Sequence, residues 1–209
     1  MKKAQLIFFA CLTLGVFGQL FGQQVGPPRI PPRKFDHRGE IQSRFDAVTN
    51  KTQVVLSPYR VETVDTAEVM ETRQYFSIMC GFVYEGKKTS GYPETIELHI
   101  ISDGTRGFRL TKDENRVLSI DIDKELIRLG TMKLVRSHHY AYGSSTATAG
   151  RSGYMEELSI ILTYEGLLKI AEGKNVTLLL NGERIHLKKE HLEALRNLAS
   201  RIKVSNEFV

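Results

Sequence analysis

The sequence predicts a mainly β fold: an antiparallel β-sandwich-like domain with one short helix and a C-terminal amphipathic helix covering the sheet. An α+β arrangement is the alternative. Three observations carry this expectation. Asn181-Gly182 separates two strand patterns, and that dipeptide favours φ > 0 at both central positions of a type I′ hairpin turn. Residues Thr95 to Ile101 and Val117 to Ile122 alternate apolar and polar side chains, the period of a half-buried strand. Tyr75 to Tyr84 is a short continuous apolar run closed by the turn-like segment EGKKTSGYP, which favours a buried strand over a helix.

Composition supports one packed domain. The chain has 209 residues, 41% hydrophobic and 25% charged, enough apolar material for a core and too much for global disorder. It opens with a positive pair, Lys2 and Lys3, followed by an apolar run from Leu6 to Phe17 and a more polar stretch with small residues. That is the layout of a secretory signal peptide over residues 1–22. The run is too short for a stable bilayer-spanning helix, which needs about 20 residues. Cleavage is expected after Gly22, with Leu20 and Gly22 at the recognition positions; Gly18, with Val16, is the alternative. A lipoprotein cut before Cys11 and an uncleaved anchor are the competing readings of the same residues. Export to the periplasm or the exterior is the expected consequence, with no stable membrane span once the leader is gone.

Removing the leader takes Lys2 and Lys3 with it, so the net charge falls from +5 to +3. A balance so near neutrality does not call for a nucleic-acid partner. Of the two cysteines, Cys11 lies in the leader, which leaves Cys80 without an internal disulfide partner.

The elements follow in order. Residues 23–44 form a linker, marked by Pro27, Pro28, Pro31 and Pro32, which remove amide donors and favour extended backbone. The domain is expected to span residues 45–204, with a tail at 205–209. Phe45 and Val48 suit one helical turn or an extended entry. Thr52 to Leu56 is rich in β-branched residues and reads as the first strand, with Pro58 confining it to an edge or ending it. Residues 60–73 read as a polar connection. Gly81, inside the apolar run, suggests a bulge or a close backbone approach.

Asp103-Gly104 and Arg106-Gly107 mark a turn, after which Phe108 and Leu110 begin another strand. Met132 and Leu134 continue the strand pattern. Leu158, Ile160 and Leu162 face inward on a strand that ends at Thr163. Thr163 is placed to cap a short helix carrying Leu167, Leu168, Ile170 and Ala171, and Gly173 stands where a C-terminal cap belongs. Asn175 to Leu180 and Glu183 to Leu187 form the hairpin. Leu192, Leu195, Leu198, Ala199 and Ile202 then recur at spacings of three and four on a helix over Glu190 to Lys203.

Chemistry-bearing residues are sparse. Cys80 lies in the apolar run without a cysteine-protease signature and reads as a small core residue. Glu97 and His99 share one strand face but lack a third metal ligand. Asp121 and Asp123 have no calcium loop after them. Asn50-Lys51-Thr52 and Asn175-Val176-Thr177 match the glycosylation sequon, but the leader is bacterial in style and no glycan is expected. His186 points away from Ile185 and Leu187, toward solvent.

The exception is residues 136–154, RSHHYAYGSSTATAGRSGY, a stretch without periodicity that reads as a long loop. His138, His139, Tyr140, Tyr142 and Tyr154 stand there on a small, polar background suited to adaptable recognition. They are the candidate binding residues; an unliganded hairpin tip is the competing reading. No catalytic residue, metal ligand or cofactor is assigned.

Phe45-Asp46 before the first strand, Thr163-Tyr164-Glu165 opening the short helix, Val176–Leu180, Asn181-Gly182 and the Leu192–Leu198 helix form a pattern that resembles a loose group of uncharacterised secreted bacterial β-sandwich proteins. The resemblance implies export and a β-rich fold and brings no catalytic residues with it. The expected function is an exported, non-catalytic domain, binding or structural in the cell envelope, whose partner is a protein or an envelope polymer. The alternatives are a secreted hydrolase using His138 or His139 with a carboxylate such as Glu97, and a carrier of an apolar ligand.

Overall fold

The computed structural model describes residues 34–65, 73–87, 91–93, 95–104, 113–142 and 151–202. The leader, the prolines of the linker, Phe108, Leu110 and the tail lie outside these residues. The described chain is mainly β, with ten strands in two antiparallel sheets and two short α-helices.

The larger sheet contains β1 (Ile41–Asp46), β2 (Lys51–Asp65), β3 (Arg73–Glu85), β4 (Thr95–Gly104), β7 (Lys133–Tyr142) and β8 (Arg151–Leu162), in the order β1-β2-β3-β4-β8-β7. The smaller contains β5 (Val117–Ile122), β6 (Glu125–Thr131), β9 (Val176–Leu180) and β10 (Glu183–Leu187), in the order β10-β9-β5-β6. Helix α1 (Tyr164–Glu172) follows β8, and α2 (Lys189–Ser200) closes the domain.

Register explains the core. A strand alternates faces, so pairing Ile78 with Ile100, and Ile100 with Leu158, stacks apolar residues of three strands on one side. Phe76, Ile78, Cys80 and Phe82 are all essentially inaccessible on that side. They join Leu118 and Ile120 of β5, Leu178 of β9 and Ile185 of β10 in one continuous core. Helix α2 packs on α1, β2, β3 and β10, so it covers the larger sheet as its apolar stripe predicts. Thr163 caps α1 by accepting from the Gly166 amide at 3.0 Å.

Asn181 and Gly182 have φ of 50° and 82°, the left-handed pair that a type I′ turn requires. Asp123 and Lys124, at 51° and 78°, form a second such corner between β5 and β6. The cost of that conformation for a lysine is offset locally, because the Asp121 carboxylate accepts from the Lys124 amide at 3.0 Å.

Several expectations are corrected. Residues 41–46 are a strand, so ordered structure begins ahead of Phe45, within the stretch read as linker. Residues 60–65 are not a polar connection; they continue β2 beyond Pro58. The ladder tolerates that proline because it sits at a register shift, just past the last residue of β2 that pairs with β1. Asp103-Gly104 is not a turn but the end of β4, paired with Met155 and Tyr154. Gly173 does end α1, but with φ of −54° rather than a left-handed angle. Its lack of a side chain serves packing against Val176 and Ile122 instead.

The most consequential correction concerns residues 136–154. Residues 136–142 and 151–154 are not loop; they are the outer halves of β7 and β8. Only 143–150 lie outside the described residues. Along 136–139 periodicity fails because Arg136, Ser137, His138 and His139 are all exposed, so neither face selects an alternating sequence.

Candidate functional site

The hairpin of β7 and β8 carries the candidate residues. His138 pairs with Met155, His139 with Tyr154, Tyr140 with Gly153 and Tyr142 with Arg151. Alternation therefore divides them between two faces. His138 and Tyr140 lie on the open face of the larger sheet, stacked with ring centroids 6.0 Å apart. His139 and Tyr154 lie on the opposite face, with centroids 4.6 Å apart. Tyr140 lies across Gly153, where a Cβ would stand only 2.5 Å from the ring, and its hydroxyl donates to the Asp103 carboxylate. Both histidines are exposed. For Tyr142 only the backbone, within β7, belongs to the described structure. Four of the five residues are thus brought together, but as two pairs rather than around one pocket.

Glu97 is not near them. His138 is level with Asp103 across β8, and Glu97 lies six residues back along β4. At about 3.4 Å per residue that is roughly 20 Å of strand, too far for a shared proton.

Glu97 belongs to a different constellation on the same open face. The His99 ring lies between two carboxylates, with Nδ1 3.0 Å from Glu157 Oε1 and Nε2 3.1 Å from Glu97 Oε2. Arg136 Nη2 donates to the other Glu157 oxygen at 2.7 Å. Glu157 is 7% exposed and therefore depends on both partners. A neutral His99 ring donates to one carboxylate, and the doubly protonated ring donates to both. Each ring nitrogen faces its own carboxylate, so the three groups do not converge on a shared point. Among the described residues no group of three side chains is arranged to hold a metal ion. Sequence reasoning found Glu97 and His99 on one face but missed Glu157 and Arg136. Those join only through the β4-β8-β7 order, which no local spacing encodes.

The remaining candidates have structural roles. The Asp123 carboxylate accepts from the backbone amides of Lys174 and Asn175, which hold it below the ordinary carboxylate range. Cys80 is fully buried, and burial pushes its thiol up to about 12. Native protein treated with iodoacetamide at neutral pH is therefore expected to stay unmodified at Cys80, and to react once denatured. Mass mapping of the alkylated peptide reads this directly; rapid native labelling would contradict the buried placement.

Compared with protein-family models, curated proteins and solved structures, the chain matches none of them.

Proposed function

We propose that the protein is an exported, non-catalytic domain that binds a protein or an envelope polymer through the aromatic end of the β7–β8 hairpin. The observation that carries this reading is the pair of ring contacts, His138 with Tyr140 and His139 with Tyr154, on both faces of a strand pair at the sheet edge. Tyrosine rings held by neighbours lose little entropy on binding and supply large amphipathic contact area. Export rests on the leader alone: Lys2, Lys3 and the Leu6–Phe17 run.

A carrier role has less support. Phe76, Phe82, Leu118 and Met132 fill the interior where a ligand cavity would have to be, and the strands form two open sheets rather than a closed barrel.

The test is retention of the purified chain on isolated envelope fractions. Tyr140→Ala and Tyr154→Ala are expected to weaken retention by about tenfold or more each, the scale of an anchoring aromatic. Both variants should keep the parent's thermal midpoint within a few degrees. Unchanged retention in both would overturn the reading. The retained form should begin at Gln23, or at Gln19 for the earlier cleavage site; material beginning at Met1 would argue against export by this route.

A further inference from the structure

Beyond the hairpin, the open face of the larger sheet has a second feature. Gly81 occupies an outward-facing position in β3. Its cross-strand partners are Val55 on one side and Glu97 on the other. Along β3, the outward positions before and after it are Met79 and Val83. A residue without a side chain is therefore ringed by four that have one, and the result is a hollow of about 240 Å³ over the Gly81 backbone. The glycine keeps it open, since a Cβ there would come within 3.0 Å of the Val54 carbonyl oxygen and of Val55 Cγ2.

The lining is asymmetric. Val55, Val83 and Met79 give it apolar walls; among the described residues Glu97 is the one acid that lines it, and no lysine or arginine does. The nearby Arg136 is engaged by Glu157 at 2.7 Å. Glu97 Oε2 lies against His99, while Oε1 has no partner among the described residues. The Glu97 side chain is 45% exposed, so that oxygen is reachable from solvent. An apolar slot of one side chain's size, ending at an available carboxylate, complements an ammonium on an unbranched stem. Lysine is that group: its four methylenes pack along apolar surface while the charge remains at the tip. The slot opens onto a broad sheet face, which a macromolecule can cover and a free amine cannot.

We propose that the hollow over Gly81 docks a lysine side chain of a protein partner, with Val55, Met79 and Val83 around the stem and Glu97 facing the ammonium. This rests on the binding reading above and narrows the partner to a protein. His99 holds Glu97 in place and is a positioning residue.

The probe is Nα-acetyl-lysine methylamide, titrated into the isotope-labelled intact protein and followed by amide chemical shifts. The Gly81, Val83 and Thr95 amides are expected to shift together, with a Kd on the order of millimolar, as befits so few contacting atoms. Glu97→Gln, which keeps the shape and removes the charge, should weaken binding by about fivefold or more while leaving the rest of the spectrum in place. The neutral norleucine analogue should bind more weakly by a similar factor. Absent shifts at these amides, unchanged affinity in Glu97→Gln, or equal binding of the norleucine analogue would each overturn the proposal. Tyr140→Ala and Tyr154→Ala lie outside the hollow and should leave this titration unaltered. Failure here with the hairpin effect intact therefore removes the lysine site alone; the reverse pattern removes the hairpin reading alone.

Discussion

His191→Ala is expected to destabilise the domain by about 2–4 kcal/mol, from lost hydrogen bonds and a vacated buried volume. His191 is 1% exposed. Its Nδ1 accepts from the Lys188 amide at 2.9 Å, and its Nε2 donates to the Arg60 carbonyl at 2.9 Å. It thus satisfies a donor at the start of α2 and joins that helix to β2 beside a register shift. The Tyr59 ring meets it edge-on at 4.8 Å. His191→Phe should recover packing but not the two hydrogen bonds, and should fall between the parent and the alanine variant. Urea unfolding midpoints at unchanged slope measure all three.

The same histidine gives the domain a pH dependence. Burial lowers its pKa from the ordinary 6.5, outweighing the opposing effect of the bond to Arg60 and of Glu190, while Lys188 lowers it further. A protonated ring also cannot accept from the Lys188 amide. The unfolded chain therefore binds the proton more readily than the folded one. The stabilisation is fully present above about 6.5 and is lost as pH falls below that toward the folded-state value. His191→Phe should abolish this component, visible as a flatter stability profile as pH falls below about 6.5. An equally steep profile in the variant would assign the effect elsewhere.

Gly173→Ala is the second large effect, a loss of about 1–3 kcal/mol from overpacking. The added Cβ would stand 2.6 Å from Val176 Cγ2 and 2.9 Å from Ile122 Cγ2. Both valine and isoleucine are buried, at 2% and 6% exposure, so neither methyl can swing into solvent. The backbone angle at Gly173 is one any residue adopts. The loss is therefore steric, and Gly173→Ala combined with Val176→Ala should be less destabilised than the sum of the two single changes. Additive losses in that cycle would rule out the contact as the cause.

The two residues illustrate the limits of reading locally. Gly173 was legible as the end of α1, yet its reason for being glycine lies in β5 and β9, the latter beyond a turn and the former far back in the chain. His191 stands in the sequence as one more polar residue at a helix start, and only the approach of β2 turns it into a buried tie. The open-face cluster is the same case: Glu97 and His99 are two apart on one strand, whereas Glu157 and Arg136 arrive from β8 and β7.

The sequence by itself determined the β class, the Asn181-Gly182 corner, the Thr163 cap and the apolar stripe of α2. Each depends on dihedral preference or on a period within a few residues, so the information is local. It also carried the His/Tyr residues of the hairpin as a group. Only the tertiary structure decided that their segment is strand, that the rings divide between two faces, and that Gly81 opens a hollow beside Glu97. Those outcomes depend on strand order and register, which are set by burying one shared face of six strands together. No single strand contains that information.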